Sequence, residues 1–342
     1  MTVMMGVIVV LQAGLGLVQA ASGGAIDDFL LPSEGKFLEG IQLTAGTQQF
    51  WSQGTRIFAT MGRYDQLGQF LCLFLLLGAG LLYFAGRQRD VRTLWIVMVM
   101  GLPALLLTLS RASWFGFVLG LLIIAAYFMQ DRRVRIGAVV AIVLAVGYVA
   151  YSGLVVRYLI ESPEQTIVER FFESFSLARF QGEYYGLGRV YWMVQTPFVV
   201  ATSPFFGVGP SMYGGGAAAA LHNTKVYDAL GLPFGVYGTD GYIDNNWFSL
   251  WGELGTIGVL VYLWMFVVLL LMSVRVFRKA HEPYVKGLAL GFVGVIFAVS
   301  FQAFLATAFE IRTLAVYFWI YAAFVYVLGV RQGVFGEKVT GN

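Results

Sequence analysis

Hydrophobic residues occur along most of the chain in long runs that contain few charges. The hydrocarbon core of a bilayer is about 30 Å thick and needs about 20 apolar residues in a helix to cross it. Runs of that kind lie near residues 3–21, 67–86, 91–109, 112–130, 136–153, 251–274, 286–306 and 312–330. The pattern predicts an all-α integral membrane protein, a polytopic bundle of about eight transmembrane helices.

The first run, residues 3–21, has a second interpretation. It ends in "LVQA", which resembles the small-residue cleavage site of a signal peptide, but "MTVMM" supplies no positive charge in front of it. We therefore prefer a transmembrane helix and keep the signal peptide as the alternative. Because the chain starts at the edge of this run, we expect a longer relative to have further helices before it.

Two long polar connections, near residues 22–66 and 154–243, separate groups of apolar runs. In the second, "TIVERFFESFSLARF" predicts a helix lying in the headgroup layer, with Glu169, Glu173 and Arg179 away from its apolar face. That face is formed by Ile167, Phe171, Phe172, Phe175 and Phe180. The piece "GRVYWMVQTPFVV" is too short to span and is interrupted by Pro197, and "SPFFGVGPSMYGGG" is typical of a flexible loop.

These features divide the chain into three parts. Residues 1–153 form N-terminal transmembrane helices, 154–243 an external loop with the candidate active-site segments, and 244–342 C-terminal transmembrane helices. No internal repeat of 20 to 50 residues, which would indicate a solenoid, is apparent in the sequence.

Composition supports the membrane assignment and excludes several kinds of site. Of 342 residues, 58% are hydrophobic and 12% charged, whereas about a quarter are charged in soluble domains. A net charge of +3 gives no reason to expect nucleic-acid binding. Cys72 is the single cysteine, so neither a disulfide framework nor a thiolate metal site can form, and we expect neither a metal nor a cofactor.

The distribution of Lys and Arg predicts the orientation in the membrane. Twelve of them lie in short connections and the C-terminal tail, namely Arg87, Arg89, Arg92, Arg132, Arg133, Arg135, Arg275, Arg278, Lys279, Lys286, Arg331 and Lys338. With four acidic residues this side has a formal charge of +8, and the opposite side has −5. Short loops rich in Lys and Arg remain in the cytoplasm, so both long connections are predicted outside.

Four of the arginines on the predicted outer side are candidates for binding an anion: Arg56, Arg63, Arg111 and Arg189. A guanidinium near a membrane must pair, reach water or bind an anion, and it forms bidentate contacts with phosphate. The alternative for each is a side chain that extends to lipid headgroups. Their common side favours an anionic, lipid-linked group as the ligand.

Asp244 and His222 are the candidate proton acceptors. Asp244 begins "DNNWFSLWGELG", so either it or Asn245 can cap the helix that follows. Glu253 lies nine residues further on, about 13 Å along a helix and on the opposite face, so the two carboxylates do not form a glycosidase-like pair. His222, in "LHNTK", is an external imidazole that is either incidental or a base.

Three segments, "TLSRASWFGFVLGLL", "GRVYWMVQTPFVVATSPFFGVGPSMY" and "DNNWFSLWGELGTIGVL", resemble in content and order the bacterial O-antigen ligase and polymerase family. The resemblance covers roughly residues 50–330. It implies an inverting, metal-independent glycosyltransferase, with Arg111 and Arg189 binding the pyrophosphate of the donor. The histidine usual in the family falls on Asp244, so either Asp244 or His222 is the base.

The expected function is polymerisation or ligation of undecaprenyl-pyrophosphate-linked glycan repeats in surface polysaccharide, O-antigen or exopolysaccharide biosynthesis. Catalytic roles fall to Asp244 or His222 and to Arg111 and Arg189, while Arg56 and Arg63 join the last two in binding pyrophosphate. The expected partners are the lipid-linked oligosaccharide donor, a glycan or lipid-glycan acceptor, membrane lipids and polysaccharide-assembly proteins. We expect a multi-pass protein of the bacterial inner membrane with an external active site.

Two other functions stay open: a flippase or secondary transporter for lipid-linked glycan, and a structural subunit of an assembly complex. Charged residues inside the spans would favour the transporter. Polymerase is preferred over ligase because the histidine usual in ligases is replaced at residue 244. The sugar, the linkage and the oligomeric state do not follow from the sequence.

Overall fold

The computed structural model describes residues 2–30, 36–38, 41–44, 54–84, 88–125, 166–235, 241–310 and 312–336, with isolated positions between 126 and 165. The first elements are α1 (Thr2–Ala21), α2 (Asp27–Leu30), β1 (Lys36–Leu38), β2 (Ile41–Thr44), α3 (Tyr64–Phe84), α4 (Gln88–Leu107) and α5 (Arg111–Ile123). After the gap come α6 (Ile167–Glu173), α7 (Leu177–Tyr185), α8 (Arg189–Thr202), α9 (Gly216–Ala220) and α10 (Lys225–Leu230). The chain ends with α11 (Asn246–Lys279), α12 (Pro283–Gln302) and α13 (Arg312–Arg331).

The helical membrane fold predicted from the sequence is confirmed. Within the described residues, α1, α3, α11, α12 and α13 are long and apolar enough to cross a membrane, and α4 and α5 are shorter apolar helices. The fifth predicted span, 136–153, lies outside the described residues except at isolated positions. The small antiparallel hairpin of β1 and β2 in the first long connection was not predicted.

The centre of the bundle is the contact of α3 with α12, both of which are largely buried. A Cβ at Gly80 would overlap the backbone of Gly287 and Gly291, so these glycines allow the two helices to approach closely. Gly68 of α3 faces Ser113 of α5, showing that α3 and α5 begin at the same end. Small residues therefore set the packing of the central helices.

The short helices α6, α7 and α8 lie at that same end of the bundle, which we call the site end. Arg189, the first residue of α8, donates from Nε to the carbonyl oxygen of Leu305, just beyond α12. At the start of α11, the backbone N–H of Asn246 donates to Ala303 O at 2.8 Å. These contacts bring the segment before α11, the α12–α13 connection and the second long connection together.

The helix α11 is longer than the predicted span 251–274 and is interrupted at Gly255, whose φ of 66° and ψ of −172° are not helical. The preceding loop supplies the missing backbone partners: the N–H groups of Val208 and Gly209 donate to the carbonyls of Gly252 and Glu253, both at 2.9 Å. In return, Thr256 N–H donates to Pro204 O at 3.0 Å. The motifs "SPFFGVG" and "ELGTIG" thus form one hydrogen-bonded unit, which we call the splinted break.

Two expectations about the second long connection need correction. The helix α8 continues through Pro197 to Thr202, so the proline does not end it, although a proline inside a helix removes one backbone hydrogen bond. The helix predicted from "TIVERFFESFSLARF" is two helices, α6 and α7, with N-caps at Thr166 and Ser176. Their phenylalanines do not all face lipid, since Phe171 and Phe175 pack on Phe115 of α5 at 5.9 and 5.5 Å between ring centroids.

Candidate functional site

Alternating charged side chains form a continuous row at the site end. The row, which we call the charge row, consists of Arg111, Glu173, Arg179, Glu183, Arg189 and Asp244. Each carboxylate before the last bridges two guanidinium groups of the row, and the members come from α5, α6, α7, α8 and the segment before α11. The row thus connects α5 of the bundle with the short helices α6, α7 and α8, and it ends at the exposed carboxylate of Asp244.

Arg111 begins the row at the first position of α5. Its Nη1 lies 3.5 Å from Glu173 Oε2, and its side chain is 14% exposed. The same carboxylate is approached by Arg179 Nη1 at 3.5 Å and by Arg170 Nη1 at 3.8 Å. One buried glutamate therefore compensates three guanidinium groups.

Glu173 was predicted on the polar side of a helix in the headgroup layer, away from its apolar face, but it is buried in the protein. Glu173 is 1% exposed because the covered face of α6 is the one that meets α5 and its arginine. Burial, followed by repulsion from Arg111 and Arg56, lowers the pKa of Arg170 to about 9. Positive charge is thus crowded at this point of the site.

Arg189 is held by three separate elements. Its Nε donates to Leu305 O at 2.7 Å, its Nη1 to Glu183 Oε1 at 3.1 Å and its Nη2 to Asp244 Oδ2 at 3.3 Å. Burial opposes its charge, but the carboxylates of Asp244 and Glu183 more than compensate and raise the pKa of Arg189. A guanidinium has five N–H donors, so two remain for a ligand.

Arg56 and Arg63 adjoin the charge row. The guanidinium carbon of Arg56 lies 4.4 Å from the ring centroid of Tyr64, a cation–π contact. Arg63 pairs with Asp65 at 3.1 Å, and the Asp65 carboxylate, with a smaller contribution from Asp244, raises the pKa of Arg63. The four arginines singled out in the sequence thus meet in one electrostatic environment.

Among the residues that the structure describes, this environment has a cationic surplus. With Arg170 and Arg179, six arginines stand against the four carboxylates of Asp65, Glu173, Glu183 and Asp244. A surplus of arginine beside the ends of apolar helices suits an anion of a membrane-bound molecule, because guanidinium groups pair bidentately with phosphate.

The structure decides between the two candidate caps of α11. Asn245 is the N-cap, and its side chain accepts a hydrogen bond from Phe248 N–H at 3.2 Å. Asp244 is consequently not engaged in capping. Its side chain is 44% exposed and paired with Arg189, so its carboxylate is accessible at the end of the charge row.

Glu253 lies in a different setting from Asp244. A Cβ at Gly215 would be 3.2 Å from Glu253 Oε1 and 3.4 Å from Glu310 Oε1, so the glycine loop packs on both carboxylates. Glu310 accepts the N–H of Gly216, and burial raises the pKa of Glu310. Gly215 and Gly216 therefore contact acidic side chains, where the sequence suggested only a flexible connection.

His222 is exposed and has a positive φ of 49°, directly after α9. Its ring packs edge-on against Phe234, with 4.8 Å between centroids. In the described part of the chain, no contact joins His222 to the charge row. Asn223 anchors this loop by donating to Ser211 O at 3.0 Å.

Sequence reasoning did not assign roles to Arg170, Arg179, Glu173 or Glu183. One signal was present, since Arg179 and Glu183 are four residues apart and form an ion pair on α7. The other partners are distant in sequence, and the helical period alone does not tell which side of α6 is covered. Their contacts depend on how the short helices pack against α5, which the sequence alone does not show.

Comparison with protein-family models gives a match in the middle of the chain. Residues 96–263 match the O-antigen ligase family, which confirms the resemblance inferred from the three sequence segments, over a shorter range than the one inferred. A search of curated proteins returned no match. The family match supports an O-antigen ligase or polymerase type of glycosyltransferase function on lipid-linked glycans, in a multi-pass membrane protein.

Proposed function

From the match of residues 96–263 to the O-antigen ligase family, we propose that the protein polymerises or ligates undecaprenyl-pyrophosphate-linked glycan repeats. The reaction takes place at the outer face of the bacterial inner membrane, in surface polysaccharide biosynthesis. The observation that carries the proposal is the charge row together with the arginines beside it, Arg56, Arg63 and Arg170, because they place surplus positive charge and one accessible carboxylate at the end of a membrane bundle.

In the proposed reaction, a hydroxyl oxygen of the acceptor attacks the anomeric carbon of the donor glycan. The bond between that carbon and the pyrophosphate oxygen breaks, its electron pair stays with the pyrophosphate, and the configuration inverts. Arg111 and Arg189, with Arg56 and Arg63 nearby, stabilise the charge that develops on the leaving group. Guanidinium groups supply the positive charge, so the mechanism requires no metal.

The proton of the acceptor hydroxyl goes to a carboxylate or an imidazole. Asp244 is the favoured base because its accessible oxygen contacts Arg189, so proton transfer and leaving-group stabilisation would occur side by side. His222 is the alternative, since imidazole titrates near neutral pH. It would require the acceptor to reach the loop after α9.

The direct test is a transfer assay with purified protein in EDTA. We expect undecaprenyl-pyrophosphate-linked oligosaccharide to be converted to longer or transferred glycan, with release of undecaprenyl pyrophosphate. Movement of the intact donor across a proteoliposome membrane without a change in glycan length would replace this proposal with the flippase. No conversion with any lipid-pyrophosphate donor would reject it.

The external position of the site is tested by labelling. In a Cys72→Ala background, we expect Lys225→Cys to react with an impermeant thiol reagent in intact cells and Lys279→Cys to react only after permeabilisation, because the Lys/Arg-rich side stays in the cytoplasm. Both positions are exposed in the structure. The reverse pattern would place the charge row inside and contradict the proposal.

A further inference from the structure

Glu183 contacts three groups of the charge row: the side chains of Arg179 and Arg189 and the backbone N–H of Arg189. Its Oε1 accepts Arg189 Nη1 at 3.1 Å and also pairs with Arg179, while its Oε2 accepts the backbone N–H of Arg189 at 3.0 Å. The last contact satisfies a free donor at the start of α8, where Gly188 offers no side chain to cap the helix. One carboxylate thus fixes both the backbone and the side chain of Arg189.

The fold provides space for this carboxylate. Gly188 has extended backbone angles that any residue can adopt, with φ of −82° and ψ of −158°, yet a Cβ there would overlap Glu183 Oε2. Glycine at 188 is therefore explained by the room that the carboxylate needs, since no backbone strain requires it. The arrangement depends on two residues that are five apart in the chain.

We propose that Glu183 is a positioning residue, which orients the guanidinium groups of Arg179 and Arg189 toward the anionic part of the donor. The inference rests on the proposed function of the charge row and adds a residue that the family match does not assign. An arginine side chain has many rotamers, and fixing it before the substrate arrives avoids an entropic cost at the moment of reaction. Glu183 accepts one N–H of the Arg189 guanidinium, Leu305 and Asp244 accept two others, and two N–H groups remain for the ligand.

A positioning role has a signature that a structural role lacks. Replacing Glu183 by glutamine removes one negative charge, which strengthens the attraction of the site for any anion. The same change releases two guanidinium groups from a fixed orientation, which lowers turnover. Anion affinity and turnover should therefore change in opposite directions.

The experiment compares two variants with two matched controls. Glu183→Gln removes the charge, and Gly188→Ala displaces the carboxylate without changing any charge. Glu169→Gln removes a charge from α6 while glutamine can still serve the capping box with Thr166. Gly182→Ala adds a methyl group on α7 where no atom lies within 4 Å.

Turnover is measured with the lipid-linked donor, and the dissociation constant is measured with inorganic pyrophosphate by calorimetry. We expect Glu183→Gln and Gly188→Ala to lower turnover about 10- to 100-fold, as misplacement of a binding group does. Pyrophosphate should bind Glu183→Gln about threefold more tightly, because one repelling charge is gone. Both controls should match the wild type.

Three results would overturn the inference. Turnover of Glu183→Gln within twofold of the wild type removes the positioning role. If turnover, pyrophosphate affinity and melting temperature all fall in both variants, the role of Glu183 is structural. If turnover rises, Glu183 only competes with the donor for the arginines. If the wild type transfers no glycan, the proposed function fails. Tighter binding of pyrophosphate by Glu183→Gln would still support Glu183 as the carboxylate that holds the anion-binding arginines.

Discussion

Replacing Asp244 by asparagine separates its chemistry from its structure. Asparagine has nearly the same shape but cannot accept a proton at neutral pH. The helix cap is not affected, because Asn245 performs that role. We therefore expect a folded protein that transfers glycan much more slowly than the wild type.

The expected losses of stability and of turnover in Asp244→Asn differ enough to be distinguished. The ion pair that Asp244 makes with Arg189 joins side chains that are 44% and 28% exposed, and pairs of this kind contribute about 1 kcal/mol or less. A general base contributes about 10²- to 10⁴-fold in rate. The expected loss of turnover is thus at least a hundredfold, while the melting temperature changes little.

The assay measures initial transfer rates of detergent-purified variants at equal, folded concentration. Asp228→Asn is the matched control, since Asp228 is an exposed carboxylate of the preceding connection that accepts the Thr224 hydroxyl at 2.7 Å. Asp244→His should recover part of the rate, because imidazole also accepts a proton near neutral pH. His222→Ala should be mild.

One outcome would refute the reasoning. If Asp244→Asn keeps most of its rate while His222→Ala abolishes transfer, Asp244 is not the base. The proton transfer would then belong to the loop after α9, and the pairing of Asp244 with Arg189 would be electrostatic only.

Other predictions follow from the arginines, the broken helix and the glycine loop. Arg111→Lys and Arg189→Lys should each lower turnover about tenfold or more at unchanged expression, because lysine loses bidentate geometry; full activity in both would assign them to headgroup contacts. Gly255→Ala should lower the free energy of unfolding by about 1–3 kcal/mol, since φ of 66° with ψ of −172° suits only glycine; an unchanged melting temperature would contradict this. Because burial raises the pKa of Glu310, its protonation favours the folded state, and stability should fall as pH rises above its ordinary value of 4.5. Glu310→Gln should reduce that slope in thermal unfolding, and an equal slope would refute the assignment.

The sequence predicts the spans well because lipid imposes a simple requirement, a helix of sufficient apolar length. The ends are less predictable because polar residues extend the helices at the site end. The helix α3 starts at Tyr64, which contacts Arg56, and α11 starts at Asn246, which is buried in the protein. The interruption at Gly255 was missed because a single glycine in an apolar run does not reveal its φ.

The site was predictable where charge placement follows a rule. The expected common side of Arg111 and Arg189 brings them into one row. Glu173 and Glu183 could not be assigned in the same way, since their contacts with Arg111 and Arg189 join different helices. The periodicity of α6 even indicated the wrong side for Glu173, because a carboxylate with three guanidinium neighbours can be buried where an unpaired one cannot.

The splinted break links two segments that are about fifty residues apart, and this limits how the protein can be recombined. The backbone groups freed around Gly255 find their partners in the backbone of residues 204–209. A chimera that received the outer connection from one relative and α11 from another would have to match both halves of this pairing. The loop and the helix therefore behave as a single heritable unit, and exchange between homologues should be designed with boundaries outside residues 203–257.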